Sequence, residues 1–279
     1  MTSPPRGAQL NDWANYRTSP LSSVTELIYK TLVVTELEVR KLRHNPIQLI
    51  TRAVQPVLWL VVFGQVFTRI RAIPTEGVPY LDFMTPGILA QSILFMAIFS
   101  GISIIWERDL GILHKLLVSP TPRVTLVLGK ALAAGIRCLS QAIIIYAIAF
   151  PLGIHLDMSL LALVGVLFAV LLTAALFSNL SLLVACLLKT QESFMGIGQL
   201  LTMPLFFASN AIYPITLMPP WLQFISSVNP LTYAVDALRN LMLIGEASTY
   251  GLGWDFAILL GITAILAVLC SRLYPNLAT

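Results

Sequence analysis

Two stretches of this chain, Pro86–Trp106 and Leu160–Leu188, contain no Asp, Glu, Lys or Arg. Each exceeds the roughly 20 residues that a helix needs to cross a hydrocarbon core of about 30 Å. Such runs belong in a bilayer, and the rest of the composition agrees. Across 279 residues the chain is 57% hydrophobic, with a mean hydropathy of +0.83. Only 11% of residues are charged, against about one-quarter in a typical soluble domain. The chain therefore reads as an all-α polytopic membrane protein.

Apolar runs predict six transmembrane helices, at 50–68, 86–106, 130–152, 160–188, 194–214 and 254–273. Before them, residues 1–22 read as a flexible tail. Residues 23–45 read as an amphipathic interfacial helix that opens on a capping box, Ser23 with Glu26. A single six-span membrane domain then occupies 46–279. Six spans put both termini on one side. Thirteen of the 17 basic residues fall in the segments on that side, among them Arg40, Lys41, Arg43, Arg108, Lys115, Arg123 and Lys130. Positive charge marks the cytoplasmic face, so both termini and the polar segment 107–123 are expected inside. Residues 215–245 hold two apolar pieces too short to cross, one after Pro219-Pro220 and one opened by Asn229-Pro230. They are expected to be short re-entrant helices on the outer side, since an Asn cap followed by proline is a good helix start.

No catalytic constellation stands out. The phosphate-cradling loop GxxxxGK[ST], HExxH and GxSxG are all absent. Asp157, Glu192, Asp236 and Asp255 fall near span ends, which weakens an ion-coupled carrier. Cys138, Cys186 and Cys270 lie inside apolar runs without metal-ligand spacing and read as small hydrophobes. Within the third span, Lys130, Arg137 and Gln141 share a helix face. They could line a substrate path together with Asn179, or Arg137 could snorkel to the headgroups, the simpler reading. Gln91 and Ser92 could likewise line a cavity or bond across helices.

The hairpin between spans two and three reads E-R-D-x-G-x-L-x-x-L-x-x-S-P-x-x-R. It is carried by Glu107, Arg108, Gly111, Leu113, Leu116, Ser119, Pro120 and Arg123, followed by Gly129-Lys130. It resembles the coupling segment of type-2 ABC transporter permeases. The segment N-P-L-T-Y-x-x-D-x-x-R, with Asn229, Pro230, Tyr233, Asp236 and Arg239, is similar to that family's outer re-entrant helices. The resemblance spans nearly the whole chain and implies a half-transporter in the inner (plasma) membrane. It implies two copies of this chain surrounded by lipid, seated on two copies of a separate ATPase. ATP and Mg would be bound by that partner, with no cofactor, metal or nucleic acid held here. Physically, the hairpin's leucines could lie on the membrane side while its charged end seats in an ATPase cleft. The cargo expected is a drug-like amphipathic compound or lipid moving outward, since Trp59, Trp106, Trp221 and Trp254 form no aromatic ladder for a sugar chain. A polysaccharide or lipid-linked glycan is the alternative cargo. A stand-alone carrier or channel is the alternative mechanism, and an intramembrane enzyme lacks a paired nucleophile and base.

Overall fold

The computed structural model describes residues 28–36, 40, 47–70, 73–75, 77–111, 123–188, 190–245 and 248–273. Among them the regular elements are all helices, with one isolated antiparallel bridge between Leu156 and Leu243. The expected tail, 1–22, and the capping box at Ser23 and Glu26 lie outside the described residues. Helix α1 occupies 28–36. It is followed by α2, Ile47–Leu58, which continues through a π-helical turn, Trp59–Gly64, into α3, Gln65–Ile70. Helix α4 is Tyr80–Phe99, α5 is Ile102–Asp109, α6 is Arg123–Ala149, α7 is Leu160–Leu187 and α8 is Gln191–Phe207. Two short helices, α9 at Pro220–Val228 and α10 at Pro230–Met242, precede the last, α11 at Leu252–Leu273.

Among the described residues four helical stretches are long and apolar enough to cross a bilayer: Tyr80–Asp109, Val124–Ala149, Leu160–Leu187 and Leu252–Leu273. They correspond to four of the six expected spans. The other two fall on shorter helices, Val54–Ile70 and the 17-residue α8. Two boundaries differ by a full seven residues: α6 starts at Arg123 instead of 130, and the apolar run of the fifth span continues to Pro214, yet α8 stops at Phe207. Ser209 Oγ turns back to donate to the Phe206 carbonyl, and Arg239 takes the Asn210 carbonyl at 2.8 Å. Those polar partners hold residues 208–214 in a folded turn instead of a helix. Conversely, α4 starts at Tyr80, well before the expected Pro86, and carries that proline within it. The proline forfeits one backbone bond, a loss that packed neighbours make tolerable at depth.

Helix α4 forms the centre. Nearly every residue from Asp82 to Ile98 is buried, matching a sequence apolar on all sides. It packs against α2, α6, α7, α8 and α10. At Gly87 an added Cβ would stand 2.2 Å from the Ala211 carbonyl oxygen, so only glycine lets α4 approach the turn after α8. Helix α11 sits outermost, with Ile265 and Val268 exposed, as suits a lipid-facing surface.

The bundle has two distinct ends. At one, α1 rests on α6: Thr35 Oγ1 donates to the Gly129 carbonyl, and Val34 joins a cluster with Ile104, Leu126, Leu182 and Cys270. The segment at Glu107, the α7–α8 turn and the last turn of α11 lie at this same end. The opposite end collects Asp82, His155, α10 and the α10–α11 turn.

Candidate functional site

The site is built where the second span leaves the bundle. Ser100 and Gly101 interrupt the long helix, and Gly101 lies so close to Ser181 and Phe194 that a side chain there would meet both. After this break, α5 directs Glu107 inward. Its carboxylate meets Lys130 Nζ of α6 at 2.7 Å, with Glu107 6% and Lys130 7% exposed. Two charges so deprived of water need a partner of opposite sign, and each supplies one to the other. The neighbouring residue ties a third element: Arg108 Nη1 donates to the Leu188 carbonyl at 3.2 Å. Leu188 caps the C-terminus of α7, where the last carbonyls have no partner within the helix and favour a cation. On the far side of that turn, Thr190 caps α8 by accepting from the Ser193 amide.

Gly111 closes α5. Its φ is +68°, and its amide donates to the Arg108 carbonyl. This is the left-handed residue that commonly ends a helix, and glycine takes it without strain. These three described positions of the motif thus have separate tasks. Glu107 binds α5 to α6, Arg108 binds it to the α7–α8 turn, and Gly111 releases the chain from the helix. Leu113, Leu116, Ser119 and Pro120 lie outside the described residues, and Arg123 opens α6.

The sequence placed Lys130 on a polar face of the third span with Arg137 and Gln141, and not as the partner of Glu107. Its pairing spans 23 positions, and no local pattern reports it. It also links the site to α1, because the preceding Gly129 packs on Val34 and Thr31.

The polar face of α6 continues inward from Lys130. Arg137 is half-buried in a narrow gap lined also by Ser100, Ser103, Ser178 and Asn179. Gln141, one turn further, reaches a separate and larger cavity that Gln91 and Ser92 also line. The structure therefore places Arg137 with Asn179, and Gln141 apart from them.

At the opposite end, the five residues of the late motif knit α10 to its neighbours. Asn229 Oδ1 accepts from the Leu231 amide as the helix cap, while its Nδ2 donates to the Leu205 carbonyl at 2.7 Å. Pro230 is the first helical residue, and Tyr233 donates to the Ser227 carbonyl. Asp236 accepts from Ser248, Thr249 and the Tyr250 amide. Ser248 Oγ also lies 2.8 Å from Asp255 Oδ2. Burial, and then the neighbouring Tyr233 and the two carboxylates, push the Tyr250 phenol up from its ordinary pKa. Arg239 donates to the Asn210 and Phe83 carbonyls and stacks 3.8 Å above the Phe83 ring. Asp82, which the sequence did not single out, accepts from the His155 amide and lies 3.2 Å from its ring.

Comparison with known proteins places this arrangement. Residues 29–243 match the ABC-2 type transporter family, a stretch running from α1 through α10. The chain belongs to that family. It is 33% identical over 225 residues to the ycf38 protein of Cyanophora paradoxa, whose name marks it as a candidate transport permease; this covers 79% of the chain and 77% of that protein. It is 27% identical over 234 residues to the daunorubicin resistance ABC transporter permease protein DrrB1 of Streptomyces coeruleorubidus, covering 84% and 82%. It is 26% identical over 198 residues to the inner membrane transport permease YadH of Escherichia coli, covering 68% and 73%. As an ABC-2 permease the chain is a membrane transport protein, and chains of this family normally pair with an ABC ATPase.

Proposed function

We propose that this chain is the membrane half of an ATP-driven exporter that moves a drug-like amphipathic compound or lipid outward. Two copies pair around a central path, and two ATPase subunits that bind ATP and Mg dock on the segment 107–123. In this reading the chain crosses the inner membrane six times, with α8 and the α2–α3 helix as the shorter crossings and both termini in the cytoplasm. The thirteen basic residues that the sequence assigns to the segments on one side support that orientation. Helices α9 and α10 form the outer re-entrant cap. The daunorubicin resistance permease among the relatives favours a drug-like cargo.

The observation that carries the coupling role is the buried Glu107–Lys130 pair at the root of this segment. A push on the hairpin cannot be absorbed locally when α5 is tied to α6 by desolvated charge and to the α7–α8 turn by Arg108. It moves those helices as a unit. Leu113, Leu116, Pro120 and Arg123 then supply the part that meets the ATPase, and Arg137, Gln141 and Asn179 belong to the helix faces along which cargo passes. The test is reconstitution with the neighbouring ATPase in proteoliposomes. Glu107→Gln and Gly111→Ala are expected to retain ATP hydrolysis and lose ATP-dependent transport. Normal transport by both variants would end this role for the hairpin.

A further inference from the structure

A cavity of about 340 Å³ opens between α2, α4, α5 and α6. One wall is Gln141 of α6, only 1% exposed, and neither its amide nitrogen nor its amide oxygen has a hydrogen-bond partner. A primary amide offers two N–H donors and two acceptor lone pairs. Burying all four unmet is costly, and it is tolerated where something else completes them. Facing it, α4 presents Gln91, 4% exposed, with Ser92 beside it. Phe95 and Phe99 follow at one and two turns and stack on each other at 6.2 Å. The cavity thus has an amide end and an aromatic end. Among the described residues none that lines it carries a charge. The nearest cation on the same helix face, Arg137, lines the separate gap with Ser100, Ser103 and Asn179.

We propose that this cavity binds an uncharged amphiphile through a neutral group that both donates and accepts hydrogen bonds, with Gln141 as its anchor. An ammonium or carboxylate head would lose its hydration without finding a counter-charge among the described lining residues, so charged analogues are disfavoured by desolvation. An amide or hydroxyl head pairs with Gln141, and its apolar body lies along Phe95 and Phe99. Gln141 is then a specificity-determining residue. That the bound amphiphile is also the exported cargo rests on the function proposed above; that it binds does not.

Three probes with one tail and different heads test this: oleamide, oleate and oleylamine, tritiated and titrated against the full chain in nanodiscs without nucleotide. Oleamide is expected to bind saturably, and the two charged probes at least about tenfold more weakly. Gln141→Leu should weaken oleamide about tenfold while leaving thermal stability of the empty protein unchanged or raised, because it removes a buried unmet amide. Gln141→Asn should restore part of the binding. Equal binding of all three heads, or undiminished oleamide binding by Gln141→Leu, would overturn the assignment. So would a Gln141→Leu protein destabilised as much as it is weakened, since the amide would then be structural. Because no ATP is present, this outcome is independent of whether Glu107 variants uncouple transport.

Discussion

Glu107 and Lys130 are each under one-tenth exposed and 2.7 Å apart. Removing one member of such a pair leaves the other buried and short of a charged partner, at about 3–5 kcal/mol. Replacing both by apolar residues of similar size costs far less. Glu107→Leu and Lys130→Met should therefore each lower the melting temperature in detergent, and the double variant should recover most of the loss. If the double variant melts no higher than the weaker single one, the pair is not what holds α5 to α6. All three proteins should still fail to couple hydrolysis to transport. Gly111→Ala is milder: a side chain forced into the left-handed region costs about 1–2 kcal/mol, readable as a small drop in melting temperature. These residues also show how legible the site was. In the sequence Gly111 reads only as a position of the hairpin motif, not as the left-handed end of α5. Asn229 and Pro230 were readable as a helix start, because capping is a local event. The pairing of Lys130 was not readable, because it depends on a carboxylate in another helix. Gln141 was visible as a polar point on α6, yet the cavity it faces is made by α2 and α4.

Among the elements, apolar length located the helices and tertiary contact set their ends. The charge-free run from Leu160 became α7 almost residue for residue, since a uniformly apolar segment bounded by Ser159 as cap has one favourable solution. Helix α8 ends early because Ser209 and Asn210 have partners in the turn and in α10, which no window of hydropathy registers. Helix α4 begins early because its proline is shielded on every side. Gly87 makes the last point testable. Its substitution by alanine would drive a methyl into the Ala211 backbone, 2.2 Å from the carbonyl oxygen. Overpacking of this kind costs about 1–3 kcal/mol. Gly87→Ala should lower the melting temperature and shift the turn carrying Asn210 away from Arg239. Unaltered melting would mean that the turn yields freely.

At the scale of the whole molecule, the fold sorts polar residues to two ends with different chemistry. One end joins α1, Glu107, Lys130 and the α7–α8 turn, and the other joins Asp82, His155, Asp236 and Arg239. If the first end faces the cytoplasm, the hairpin meets a soluble ATPase; if it faces outward, no ATPase can reach it and the coupling role collapses. Two exposed positions separate these cases. Leu110 is 71% exposed at the hairpin end, and Met158 is 66% exposed at the other. In a protein cleared of Cys138, Cys186 and Cys270, Met158→Cys should react with a membrane-impermeant maleimide on intact cells. Leu110→Cys should react only after the membrane is opened. The opposite pattern would reverse the orientation and leave the buried Glu107–Lys130 pair as a structural tie between two helices, without an engine to pull on it.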